Sequence, residues 1–104
     1  PGDVPPMLFA ITCTDTPGAL DLRMATRPAH LDYVARHAPS LMLVGPLLTP
    51  EGAPAGSLFI VDLPDRAAAK AFAAGDPYAR AGLFESTVIR PFRAVYKDGA
   101  AVPA

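Results

Sequence analysis

Two histidines stand in the chain, and one of them, His30, is placed where an imidazole can do chemistry. Near pH 7 a neutral imidazole is the best-matched general base or acid among the side chains. A carboxylate at its other ring nitrogen fixes the tautomer and stabilises the protonated form. A carboxylate of interest is Asp76, at the head of Asp76-Pro77-Tyr78-Ala79-Arg80-Ala81-Gly82-Leu83-Phe84. Asp followed by Pro is also what a short helical turn needs at its start, because the carboxylate caps free N–H groups and proline fits the first helical position. Capping therefore accounts for the dipeptide without any chemistry. The functional reading adds that the capped carboxylate faces His30 across a pocket, and the two readings are compatible. Arg23, Arg27 and Arg90 are candidates for gripping a carboxylate or phenolate by two points, and Arg27, about one turn before His30, is the best placed. Ser57, Tyr78 and Phe84 can line the same cavity. Each also has a plain role, Ser57 starting a strand, Tyr78 covering a helical turn and Phe84 filling a core.

The elements that position these residues follow from hydrophobic pattern and turn chemistry. Met7 to Cys13 is apolar on both alternating faces and predicts a central strand covered on both sides. A loop through Pro17-Gly18 continues past Asp21 and Arg23. Arg27-Pro28 then predicts the start of a helix that runs to about Ala38, where Pro39 stops it. In that helix Leu31, Val34, Ala35 and Ala38 form the expected buried stripe, with Asp32, Tyr33 and Arg36 elsewhere. His30 falls about 40° beyond Val34, at the margin of the stripe, and His37 lies two turns on, about 10 Å away.

Leu41 to Leu48 predicts a second strand containing Pro46, Thr49 to Gly56 a loop, and Ser57 to Asp62 a third strand. Asp65 caps a second helix in which Ala68, Ala71 and Phe72 face inward and Arg66 and Lys70 outward. Gly75 ends it, and after the Asp76 turn Phe84 to Tyr96 forms the last strand, carrying Pro91. The order is β-α-β-β-α-β, the split βαβ pattern of a ferredoxin-like α+β subunit with a four-stranded antiparallel sheet. Its second and fourth strands lie at the sheet edges, where proline is tolerated, and Pro46 and Pro91 fall on those two. Both helices cover one face. The other face, rich in Leu, Phe and Val, needs a cover that a chain of 104 residues does not supply, and a second copy is the economical one.

Half of the residues are hydrophobic and 18% are charged, with a net charge of −1, which favours self-association over nucleic-acid or anionic-membrane binding. The chain has neither an apolar stretch of membrane-spanning length nor a signal-peptide pattern at its start, and reads as a cytoplasmic protein. The single cysteine, Cys13, sits in an apolar strand and reads as core; with two histidines it makes no recognisable zinc constellation. Residues 1–6 lack an initiator Met and read as a processed end or cloning remnant. Residues 7–97 form the domain and 98–104 a C-terminal tail.

The Asp76–Phe84 stretch with Ile89-Arg90-Pro91-Phe92, the Arg27-Pro28-Ala29-His30-Leu31 segment and the Gly45-Pro46 step together resemble the YciI-like (YCII-related) family. The likeness spans roughly Met7 to Tyr96. It implies a dimeric α/β barrel, in which two ferredoxin-like subunits pack sheet on sheet, and it matches His30 and Asp76 to the family's proposed catalytic pair. Similar folds include muconolactone isomerases and cofactor-free monooxygenases, which points to proton transfer on a small aromatic or lactone-like metabolite without a cofactor. No Ser/His/Asp order, phosphate-cradling glycine loop, haem motif or nucleotide fingerprint appears. The competing expectation is a non-catalytic dimer that binds a small metabolite or a partner protein. Haem handling is disfavoured, since neither histidine has a haem-binding surround.

Overall fold

The computed structural model describes residues 7–103, so the expected N-terminal tail lies outside the described residues. Strands β1 (Leu8–Asp15), β2 (Leu41–Leu48), β3 (Pro54–Asp62) and β4 (Phe84–Phe92) form one antiparallel sheet in the order β2-β3-β1-β4. The two strands without an internal proline are central, as proline's missing N–H requires. Pro46 and Pro91 occupy the edges. Strand β3 starts three residues earlier than the pattern predicts, so the β2–β3 loop shrinks to residues 49–53. Pro54 is thereby the first residue of a central strand, a position that needs no ladder donor from it.

Helices α1 (Leu20–Arg36) and α2 (Arg66–Gly75), and the single turn α3 (Pro77–Arg80), complete the subunit. Phe9, Ile11 and Cys13 of β1 alternate inward with Phe59 and Val61 of β3, and Ala69 and Phe72 of α2 close over them. Asp65 and Asp76 cap α2 and α3 through Ala68 N and Tyr78 N. In α2 Phe72 faces inward as expected, but Ala69 rather than half-buried Ala68 joins it, with Ala73 partly buried and Ala71 exposed. A run of alanines offers no polar contrast by which to set the phase.

Helix α1 departs more from its sequence reading. It begins at Leu20, just after Gly18 turns the chain at φ +76°, and Pro28 lies inside it. Proline costs one helical hydrogen bond there, the one that the Met24 carbonyl would accept. Both residues are solvent-exposed, where water can take that carbonyl. The helix ends at Arg36, and Pro39 sits in a 3₁₀ turn, Ala38–Ser40. Its inward face is not the aliphatic stripe: Leu31, Ala35 and Ala38 are exposed and Val34 half-buried, whereas Arg23, Thr26, His30, Tyr33 and His37 turn inward. Those five recur at steps of three and four, so the helical period is kept, but in polar residues that a hydrophobicity pattern does not see. Among the described residues no helix is long and apolar enough to cross a membrane.

The chain beyond β4 folds as a small separate hairpin, β5 (Tyr96–Lys97) and β6 (Ala100–Ala101), which straddles the expected boundary between domain and tail.

Candidate active site

The polar face of α1 meets α3 and the start of β3, and what it meets satisfies it residue by residue. Arg23 donates from Nε and Nη2 to the two oxygens of Asp15 at 2.7 and 2.9 Å, and from Nη2 to Gly56 O and Ser57 Oγ at 2.8 Å each. This is a buried bidentate pair whose Nη2 also reaches β3, its two hydrogens shared among three acceptors. Burial alone would pull the Arg23 pKa down, but the bond and charge of Asp15 outweigh it and hold the guanidinium above its ordinary value.

The ring of Tyr78 is stacked on His30, centroids 4.0 Å apart and planes at 18°, and the Arg23 guanidinium carbon lies 4.5 Å from the same ring centroid. Tyr78 thus holds both His30 and Arg23, which stand two helical turns apart on α1, against its ring. Burial pushes the Tyr78 hydroxyl above the usual tyrosine range, and neighbouring Arg23 and Arg27 oppose that without cancelling it.

Asp76 is only 1% exposed. Its Oδ1 accepts the Tyr78 N–H at 3.0 Å and lies 2.9 Å from Nδ1 of His30, while Oδ2 is buried without a protein partner. The carboxylate is thus anchored through one oxygen by two donors. Because the acceptor is a carboxylate, Nδ1 carries the proton, and Nε2 is the nitrogen with a lone pair. No protein group bonds Nε2 among the described residues, and His30 lines a cavity of about 280 Å³. Arg27, Ser57, Tyr78 and Arg23 supply the polar part of that lining. Leu31, Val34, Val44, Pro46 and Pro54 supply the apolar wall.

The cavity therefore gathers His30, Arg23, Arg27, Ser57 and Tyr78, with Asp76 directly behind His30. Phe84 does not line it; its ring meets Tyr78 edge-on at 6.0 Å. Arg90, opposite Ala10 on β4, projects on the sheet face away from the helices and is remote from the site. His37 turns to its own helix, its Nδ1 2.8 Å from the Tyr33 carbonyl, and its ring tilts over Tyr33. Of the cationic groups in the lining, Arg27 alone has no hydrogen bond or ion pair to protein among the described residues. Asp15, which fixes Arg23, has no local sequence signal. Leu31, expected in the core stripe, is exposed because what it faces is the cavity. Among the described residues no three of His, Cys, Asp and Glu converge as metal ligands would.

With that geometry in place, comparison with known proteins places the chain. The sequence profile of the YCII-related domain matches residues 7–93. Protein YciI of Escherichia coli O6:H1 is 33% identical over 98 residues, covering 86% of this chain and 100% of the relative. An uncharacterized protein of Haemophilus influenzae is 31% identical over 102 residues, with the same coverage. Among solved structures, the 5-chloro-2-hydroxyhydroquinone dehydrochlorinase TftG from Burkholderia phenoliruptrix AC1100, in complex with 2,5-dihydroxybenzoquinone, superposes with a TM-score of 0.78. It is 30% identical, over 84% of this chain and 94% of that one. An antibiotic biosynthesis monooxygenase, 18% identical with a TM-score of 0.53 over 86% and 99% of the two chains, shares the fold alone.

Proposed function

The chain belongs to the YCII-related family, and from that premise we propose that it is a cofactor-independent enzyme of isomerase, lyase or dehydrochlorinase type. It moves a proton on a small aromatic or lactone-like metabolite through His30. The observation that carries this reading is the buried 2.9 Å contact of Nδ1 with Asp76, which leaves Nε2 to the cavity. Nε2 takes a proton from a ring hydroxyl or an acidic C–H, and Asp76 stabilises the imidazolium that forms. The anion left on the substrate is met by Arg27, and the Tyr78 and Ser57 hydroxyls lie in the same wall. In a dehydrochlorination of a keto tautomer, whose chlorine-bearing ring carbon is tetrahedral, the electron pair of the broken O–H or C–H bond forms a new π bond through the ring and the C–Cl pair leaves with chloride. The sum is loss of HCl, with no oxidant or reductant required.

A cavity of about 280 Å³ lies at the small end of ligand pockets and suits one substituted ring. The dehydrochlorinase named above is a structural relative whose named compounds are of that size and are hydroxylated, which supports the same class here. A second copy packed on the open sheet face completes the assembly. The competing reading, a dimer that binds a metabolite without turning it over, draws on the fact that Asp76 also caps α3.

The test is to incubate the protein with chlorinated hydroxyhydroquinones and enol-lactones, following chloride release, ultraviolet spectra and solvent-deuterium incorporation. Turnover that falls by roughly 10²–10⁴ in His30→Asn, with ligand binding kept, supports general-base catalysis. Turnover that survives His30→Asn refutes it. Binding without turnover across the panel favours the non-catalytic reading.

A further inference from the structure

The hairpin β5–β6 lies past the last residue of the family match, at 93, and forms a two-stranded sheet of its own. Its turn is built for the purpose. Lys97-Asp98-Gly99-Ala100 has Asp98 at φ +53° and Gly99 at +78°, the Asp-Gly pair that a tight hairpin favours. Tyr96 pairs with Ala101, and the ladder is extended by Val102 N donating to Val95 O at 2.8 Å. Yet Val95 and Tyr96 are 64% and 69% exposed. Two-residue strands with their large apolar side chains in water do not hold a hairpin on their own; such a unit needs a surface to pack against.

Which surface is argued from the strand that leads into it. β4 leaves its ladder at Phe92, opposite Leu8, and the hairpin begins a few residues later. Phe92 belongs to the sheet face away from the helices, with Val88, Leu43 and Leu47, all four exposed. The same face carries one charge of each sign, Arg90 opposite Ala10 and Asp62 opposite Leu8. A face that is apolar and carries both signs is self-complementary, the condition for an isologous contact between two copies.

We propose that the β5–β6 hairpin is an arm that packs on a second copy of this chain at the rim of the sheet-to-sheet contact, Val95 and Tyr96 providing its apolar grip. This rests on the dimer in the functional reading above.

Sedimentation equilibrium of the full chain, of the chain ending at Ala94, and of the full-length Val95→Ser/Tyr96→Ser variant tests it, with amide spectra verifying each fold. Mixed dimers of isotope-labelled and unlabelled chains add filtered NOEs from the Tyr96 ring. The expected result is a dimer whose Kd rises ten-fold or more in both variants, with Tyr96 NOEs crossing between copies. A dimer with unchanged Kd in the serine variant, or Tyr96 NOEs confined to its own copy, overturns the arm and leaves the dimer standing. A full chain that stays monomeric overturns both.

Discussion

Nδ1 of His30 lies 2.9 Å from the same Asp76 oxygen that accepts the Tyr78 amide. One carboxylate oxygen thus starts a helix and aligns an imidazole, and the two roles can be separated by substitution. Asp76→Asn keeps an acceptor for the cap but removes the charge that stabilises imidazolium. It is expected to melt within about 1 kcal/mol of the native protein and to lose roughly 10²-fold or more in turnover. Asp76→Ala loses the cap as well and is expected to be about 1–2 kcal/mol less stable again. Thermal melts read the first effect, and long-range proton–nitrogen correlations of the His30 ring report whether the Nδ1–H tautomer persists.

Arg23 is expected to act as a pillar for Tyr78 and Ser57. Lysine cannot reproduce the two-point bond to Asp15, and its compact ammonium replaces the guanidinium that lies 4.5 Å from the Tyr78 ring centroid. Removing one partner of a buried pair costs about 3–5 kcal/mol, so Arg23→Lys, which keeps the charge, should lose about 3 kcal/mol in urea unfolding. Asp15→Asn should lose a similar amount, and the double variant less than the sum, because the partners share one interaction.

The fold was legible because its punctuation is chemical: Pro46 and Pro91 marked the edges, and Asp65 and Asp76 with Pro77 marked two helix starts. The site was legible only in part. Residue type alone points to His30, whereas its link to Asp76 rests on family likeness, because a contact 46 residues apart in the chain has no local signature. Arg23 falls in a loop on the sequence pattern because Pro28, four residues after Met24, reads as a helix start. Its partner Asp15 sits beyond a turn. The polar inward face of α1 hides its first turns, residues 20–26, and its inward phase from a hydrophobic pattern, and that face is what builds the cavity.

Gly56 tests how closely β1 and β3 must approach. A Cβ built there would stand 2.4 Å from the backbone oxygen of Cys13, an atom that cannot step aside without moving β1. Gly56 also supplies a carbonyl to Arg23. Gly56→Ala should therefore destabilise by about 1–3 kcal/mol, despite alanine's lower entropy cost. Chemical denaturation checks it, and amide shifts at Cys13 and Thr14 should change most.

Cys13 sets an alkaline limit. Burial is the main cause that raises its thiol from an ordinary value near 9 to about 11. Below pH 9 both states keep the proton and the stability is intact. Between 9 and 11 the unfolded chain ionises while the folded one does not, so stability falls with rising pH, by at most roughly 2–3 kcal/mol at 1.36 per unit. The hydroxyls of half-buried Tyr33 and buried Tyr78, both raised chiefly by burial, add a loss of the same sign. Cys13→Val should flatten the decline from pH 9 to 11 without abolishing it, as read by urea melts across that range. The native thiol should also resist alkylation until the chain unfolds.

Pro28 offers a gain in stability. It sits mid-helix between Arg27 and His30, where proline forfeits the bond to the Met24 carbonyl and costs roughly 3 kcal/mol against alanine in an exposed helix interior. Part of that is offset by the restricted unfolded chain that proline leaves. Pro28→Ala is thus expected to stabilise by about 1–2 kcal/mol, which for a domain of this size raises Tm by roughly 4–12 °C. Hydrogen exchange should show the new amide at position 28 protected. If turnover then falls while stability rises, the local backbone set by Pro28 is part of how Arg27 and His30 are aimed at the cavity. If both stay level or improve, Pro28 has no part in aiming them.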